Sequence, residues 1–150
     1  MMDRIIRATE QHKMYRSLVH AGQVEEEHTA PHAVAAAAAE LAEMIEAPTI
    51  VAYTSSGTTA ARIARKRPAV SILAITPDEH VSRRLCLLWG AHSVLAADVA
   101  NYEEMVQRAV DCALEEEFAR PSELIVVVAG IPFGRAGSTN NLRVVQIPTA

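Results

Sequence analysis

A chain of 150 residues suits one domain, because a single core of that size buries enough apolar surface to fold by itself. Hydrophobic residues make up 50% of it and charged ones 21%, a balance that excludes a disordered chain. The formal charge of −4 excludes a general attraction for nucleic acid or acidic membranes, so any anion has to be held by local geometry.

Residues 3–20 read as one helix, with Ile5, Ile6, Tyr15, Leu18 and Val19 as its apolar side. No apolar run reaches signal-peptide or membrane-span length, which makes a cytoplasmic location the expectation. The segment from Ala21 to His28, with its run Glu25-Glu26-Glu27, reads as a solvated connection. Thr29 is placed to cap the next helix, with Pro31 in the first turn, and Val34, Ala37, Ala38, Leu41, Met44 and Ile45 follow at helical spacing. Pro48 ends that helix, and Ile50-Val51-Ala52-Tyr53 is a strand of buried type. A hydroxyl-rich loop leads to a helix over 60–66, closed by Arg65-Lys66-Arg67, a basic end that complements the helix dipole.

Val70 to Ile75 is the second strand. Thr76-Pro77-Asp78-Glu79 then reads as a capping box, opening a helix that faces Val81, Leu85 and Leu88 inward and ends at Gly90. Ser93-Val94-Leu95 is a weaker third strand. Asn101 caps the next helix, with Glu104 three residues on and Tyr102, Met105, Val106, Ala109, Val110, Ala113 and Leu114 as its buried stripe. Leu124 to Ala129 is the fourth and most hydrophobic strand. A loop with three glycines runs from Gly130 to Asn141, and Leu142 to Ile147 forms the fifth strand.

This alternation predicts a three-layer α/β fold: a five-stranded, mostly parallel sheet in the order 3-2-1-4-5, with helices on both faces. No helix separates the fourth strand from the fifth, so the fifth is expected to run antiparallel at an edge. Residues 1–150 then form a single domain.

That order brings together the ends of the first and fourth strands, where the winding reverses and open α/β sheets bind ligands. After the first strand come Thr54, Ser55, Ser56, Gly57, Thr58 and Thr59, five hydroxyls and a glycine at a helix start. Capping uses one or two hydroxyls; five, with the free N–H groups of the helix, make a concave set of donors suited to a phosphate. The loop lacks the GK[ST] ending of a P-loop, so no lysine reaches a transferred phosphoryl group. In the second loop Arg135 is placed to clamp another phosphate, and Gly137, Ser138 and Thr139 add close approach and donors. A long turn between two strands explains the same residues equally well.

Other candidates carry less. The six histidines show no metal spacing, although His28 and His32 stand one helical turn apart. Cys86 and Cys112 form no CxxC pair and read as reduced, mostly buried thiols. Trp89 reads as core or interface, and no Ser-His-Asp or Cys-His arrangement emerges.

Three stretches, in this order, resemble the C-terminal, regulatory domain of pyruvate kinase along essentially the whole chain: Thr54 to Ala60; Ile75-Thr76-Pro77 with Leu88-Trp89-Gly90; and Val128 to Pro132 with Gly137 to Asn141. The resemblance implies that residues 1–20 join this domain to a catalytic barrel. Enzymes of the family are glycolytic phosphotransferases that turn phosphoenolpyruvate and ADP into pyruvate and ATP. They use Mg²⁺ and usually K⁺ in a (β/α)₈ barrel that this chain lacks. Catalysis by the chain alone is therefore not expected, and neither is a cofactor within it.

The resemblance further implies an allosteric, effector-binding and oligomerisation domain of a homotetramer. The phosphate of a sugar phosphate or AMP-like effector would sit on Thr54, Ser55, Ser56, Gly57 and Thr59, with Thr58 in the same loop. Arg135, Gly137 and Ser138 would close over the rest. Members answering to fructose 1,6-bisphosphate often carry a lysine where Ser55 stands and a more basic second loop. Arg135 is the only cation of that loop here, which favours a monophosphate such as AMP, ribose 5-phosphate or glucose 6-phosphate. Two other readings remain: a free-standing phosphate- or nucleotide-binding module, and a structural interaction domain pairing through its last strand.

Overall fold

The computed structural model describes residues 1–21, 28–132 and 137–149. Two short helices, α1 (Met2–Glu10) and α2 (Tyr15–Ala21), precede α3 (Ala30–Met44). Then come β1 (Thr49–Tyr53), α4 (Thr58–Arg65), β2 (Ser71–Thr76), α5 (Glu79–Leu85), β3 (Ala91–Leu95) and α6 (Tyr102–Glu115). The chain closes with β4 (Leu124–Gly130) and β5 (Thr139–Gln146).

The five strands form one sheet in the order β3-β2-β1-β4-β5, as the alternation of elements predicts. β1 pairs in parallel with β2 and β4, β2 with β3, and β5 runs antiparallel along β4. Because side chains alternate across a strand, the central strands divide their apolar residues between two faces. Ile50, Ala52, Ile72, Ala74, Val126 and Val128 pack on one face against α3, α4 and α5. The alanines of α3 at 35, 38, 39 and 42 are buried there, and their small side chains let that helix lie close to the sheet. Val51, Leu73, Ile75, Ile125 and Val127 fill the other face beneath Met105, Ala109 and Ala113 of α6.

Several local expectations need correction. The helix expected over 3–20 is two helices, and Ile5, Ile6 and Leu18 are 57%, 52% and 65% exposed, so its apolar side is not covered by the described chain. Helical periodicity reports a face suited to burial, not where its partner lies. α1 is tied to the body where Trp89 Nε1 donates to Glu10 Oε1 at 2.8 Å, while the Arg67 guanidinium lies 4.7 Å over the same indole. In α6 the expected stripe packs on the core except at its end, where Cys112 is buried and Leu114 is 37% exposed. Cys86 is exposed, contrary to the buried thiol expected there.

The capping box also shifts. Thr76 is still in β2, pairing with Leu95, and the cap of α5 is Asp78, whose carboxylate accepts from His80 N at 2.7 Å and Val81 N at 3.1 Å. Thr29 begins α3 without a side-chain bond to its backbone; its hydroxyl pairs with His32 Nδ1 at 2.7 Å. Asn101 caps α6 as expected, accepting from Glu104 N at 2.9 Å. The Val81 amide above all, with help from that of His80, holds the Asp78 carboxyl below its ordinary 3.8, against an opposing effect of desolvation that ranks between the two. A depressed carboxyl stabilises the fold above its unfolded value, and that contribution is lost as pH falls through the folded one. Asp78→Ala is therefore expected to lose less stability than wild type on acidification below about pH 4, read from urea midpoints across pH.

Candidate functional site

The hydroxyl loop starts as a continuation of the sheet. Thr54 N donates to Ile75 O at 2.9 Å, and the buried Thr54 hydroxyl accepts from Gly57 N at 2.9 Å, closing the loop on itself. Gly57, at φ +84°, is the N-cap of α4 and contributes no side-chain bond to that helix. A helix leaves its first N–H groups without an internal acceptor. Here the amides of Thr58 and Thr59 reach no backbone acceptor among the described residues.

The five hydroxyls divide by role. Thr59 Oγ1 lies 2.7 Å from Thr139 Oγ1, both buried, so Thr54 and Thr59 are engaged within the protein. Ser55 and Thr58 are exposed and Ser56 half-buried, with Ser56 Oγ 2.9 Å from Thr58 Oγ1. The second loop reaches the same place: a Cβ on Gly130 would stand 2.6 Å from Ser138 Oγ, a close approach only glycine permits. Ser55, Ser56, Thr58, Thr59, Gly137 and Ser138 thus line one small cavity of about 30 Å³, together with Thr54, Gly130, Tyr53, Pro77 and Asp98. Gly57 faces away from it, onto Leu85 and Val81 of α5. Arg135 lies outside the described residues.

Two cations that the sequence reading missed brace this arrangement. Arg84 Nη2 donates to Ser56 O at 2.6 Å. Arg62 Nη1 donates to Thr139 Oγ1 at 3.3 Å and Gly137 O at 3.4 Å, joining α4 to the second loop. Arg62 stands three positions after Thr59, on the same side of α4, a spacing that could have found it. Arg84 is 28 residues from Ser56 and is brought there only by the packing of α5. Tyr53, at the end of β1, has its hydroxyl pushed up to about 12, first by burial and then by the charge of Asp98.

Among the described residues no three His, Cys, Asp or Glu side chains gather to hold a metal ion, and no helix is long and apolar enough to cross a membrane. The arrangement offers donors and a dipole to an anion, and among the described residues it sets no nucleophile against a base.

Comparison with known proteins agrees with this architecture. The family model for the pyruvate kinase alpha/beta domain matches residues 32–145, which contain both loops of the site. The chain belongs to that family. It is 53% identical over 146 residues to a pyruvate kinase of Agrobacterium vitis, covering 97% of this chain and 31% of the relative. It is 39% identical over 143 residues to a pyruvate kinase of Methylorubrum extorquens, covering 95% of this chain and 30% of the relative. A pyruvate kinase of Geobacillus stearothermophilus is 36% identical over 143 residues, 95% of this chain and 24% of its own length. The chain thus spans a third or less of the curated relatives it matches, and it corresponds to their C-terminal alpha/beta domain.

Proposed function

We propose that this domain is the effector-binding and oligomerisation part of a cytoplasmic pyruvate kinase, and that it holds the phosphate of a monophosphate effector on the loop from Thr54 to Thr59. The observation that carries the reading is the open first turn of α4, with the amides of Thr58 and Thr59 beside the hydroxyls of Ser55, Ser56 and Thr58. Amides, hydroxyls and the positive end of the helix dipole all favour a dianion. A cavity of about 30 Å³ suits phosphoryl oxygens and leaves the body of the effector outside it.

In the parent enzyme, phosphoryl transfer from phosphoenolpyruvate to ADP, with its Mg²⁺ and K⁺, belongs to a catalytic barrel joined through α1 and α2. The exposed apolar residues of these helices suit such a junction. Regulation is linkage: an effector that binds one state of the oligomer more tightly shifts the population toward it.

Thermal denaturation with AMP, ribose 5-phosphate, glucose 6-phosphate and fructose 1,6-bisphosphate tests the binding. A ligand at about 100 times its dissociation constant stabilises the native state by about 2.7 kcal/mol. The monophosphates are expected to raise the melting temperature. Replacing Ser55, Ser56 and Thr58 together by alanine removes that rise; the same rise in the triple variant would sink the loop assignment. A second reading, association through the sheet edge, is favoured by Val144 of β5, which is 40% exposed. It predicts that self-association survives in the triple variant.

A further inference from the structure

We infer that Asp98 determines which phosphate the site accepts, by taking hydrogen bonds from ligand hydroxyl groups and repelling a second phosphate. The site then selects hydroxyl-bearing monophosphates, an inference that rests on the phosphate-binding reading above.

Asp98 lies in the connection from β3 to α6 and shares the cavity with Ser55, Ser56 and Thr58. Three bonds hold that connection in place. Ala96 N donates to Thr76 O at 3.1 Å, the Tyr53 hydroxyl donates to Ala97 O at 3.2 Å, and Val99 N donates to Asp98 Oδ1 at 3.0 Å. The second carboxylate oxygen, Oδ2, bonds no described residue, and the side chain is exposed.

An ionised carboxylate only accepts hydrogen bonds. It therefore has nothing to gain from a phosphate dianion and loses by like-charge repulsion, whereas a sugar hydroxyl supplies a donor to it. The size of the cavity sets where that hydroxyl lies. With room for little beyond phosphoryl oxygens, the rest of the ligand stays on the solvent side, where Asp98 is exposed. Acidic side chains beside phosphate-binding helix starts take ribose hydroxyls in dinucleotide sites for the same reason.

Calorimetric titration of the chain with inorganic phosphate, glucose 6-phosphate, ribose 5-phosphate and fructose 1,6-bisphosphate, in wild type, Asp98→Asn and Asp98→Ala, tests this. Wild type is expected to bind a sugar monophosphate about tenfold more tightly than inorganic phosphate, the size of one hydrogen bond to a charged group. Asp98→Ala is expected to erase that preference while inorganic phosphate binds as well as before or better. Asp98→Asn, which keeps the shape and removes the charge, is expected to gain affinity for the bisphosphate. Equal affinity for inorganic and sugar phosphates in wild type, or a sugar preference that survives in Asp98→Ala, overturns the role of Asp98 and leaves the loop assignment standing. Failure of wild type to bind any of the four overturns both.

Discussion

Gly57→Val is expected to lower the unfolding free energy by about 2–4 kcal/mol and to abolish stabilisation by phosphate ligands. Two effects add. The residue sits at φ +84°, where an L side chain, and a β-branched one above all, is strained by about 1–3 kcal/mol. The new Cβ would also stand 3.3 Å from Leu85 Cδ2 and 3.4 Å from Val81 Cγ1, forcing α5 to give way by a few tenths of an ångström. The same backbone turn aims the first amides of α4, so relieving the strain misplaces the donors. Urea denaturation reads the first effect as a midpoint drop of about 1 M or more, given m-values of about 1–3 kcal/mol/M. A midpoint within about 0.3 M of wild type, with ligand stabilisation intact, would show that the loop does not depend on this conformation.

Leu73→Ala should cost about 2–5 kcal/mol, the sum of lost transfer free energy and the cavity left behind. Leu73 is at 0% exposure in β2, flanked in register by Val51 and His92 and covered by α6, so the site cannot collapse without moving a whole element. Leu87→Ala supplies the comparison. That residue is 86% exposed, and its truncation is expected to change stability by no more than about 0.5 kcal/mol. Comparable losses from the two variants would mean that the packing described beneath α6 is wrong.

The topology was legible because it depends on patterns that are local and redundant. Each buried strand is a short apolar run, each crossover helix has its own periodicity, and the missing helix between β4 and β5 forces the antiparallel edge. Asn101 was legible for the same reason, since a cap and its partner Glu104 lie three residues apart. The break between α1 and α2 was not. Gln11-His12-Lys13-Met14 contains neither glycine nor proline, and the turn is stabilised by His12, whose Nδ1 accepts from Met14 N at 3.3 Å. Thr76 misled because the residue types of a capping box fit two registers, and pairing with β3 decided between them.

At the site, the loop was readable as a set of hydroxyls but not as a set of roles. Thr54 and Thr59 are of the same chemical type as Thr58; a turn within the loop engages Thr54, and a tertiary contact with Thr139 engages Thr59. Asp98 and Arg84 were invisible in the sequence because each belongs to a different loop or helix, brought beside the first loop by the winding of the sheet.

The link between Thr59 and Thr139 has a consequence for how the molecule opens thermally. Edge strands are ordinarily free to fray on their own, at a small fraction of the global unfolding free energy. In this fold the first residue of β5 is held at 2.7 Å by the first turn of α4 and again by Arg62. A hydrogen bond of that length is spent within a displacement of about half an ångström to an ångström. Fraying of the start of β5 therefore also costs its bonds to α4, which couples the two openings by about 1 kcal/mol, the net size of one such hydrogen bond.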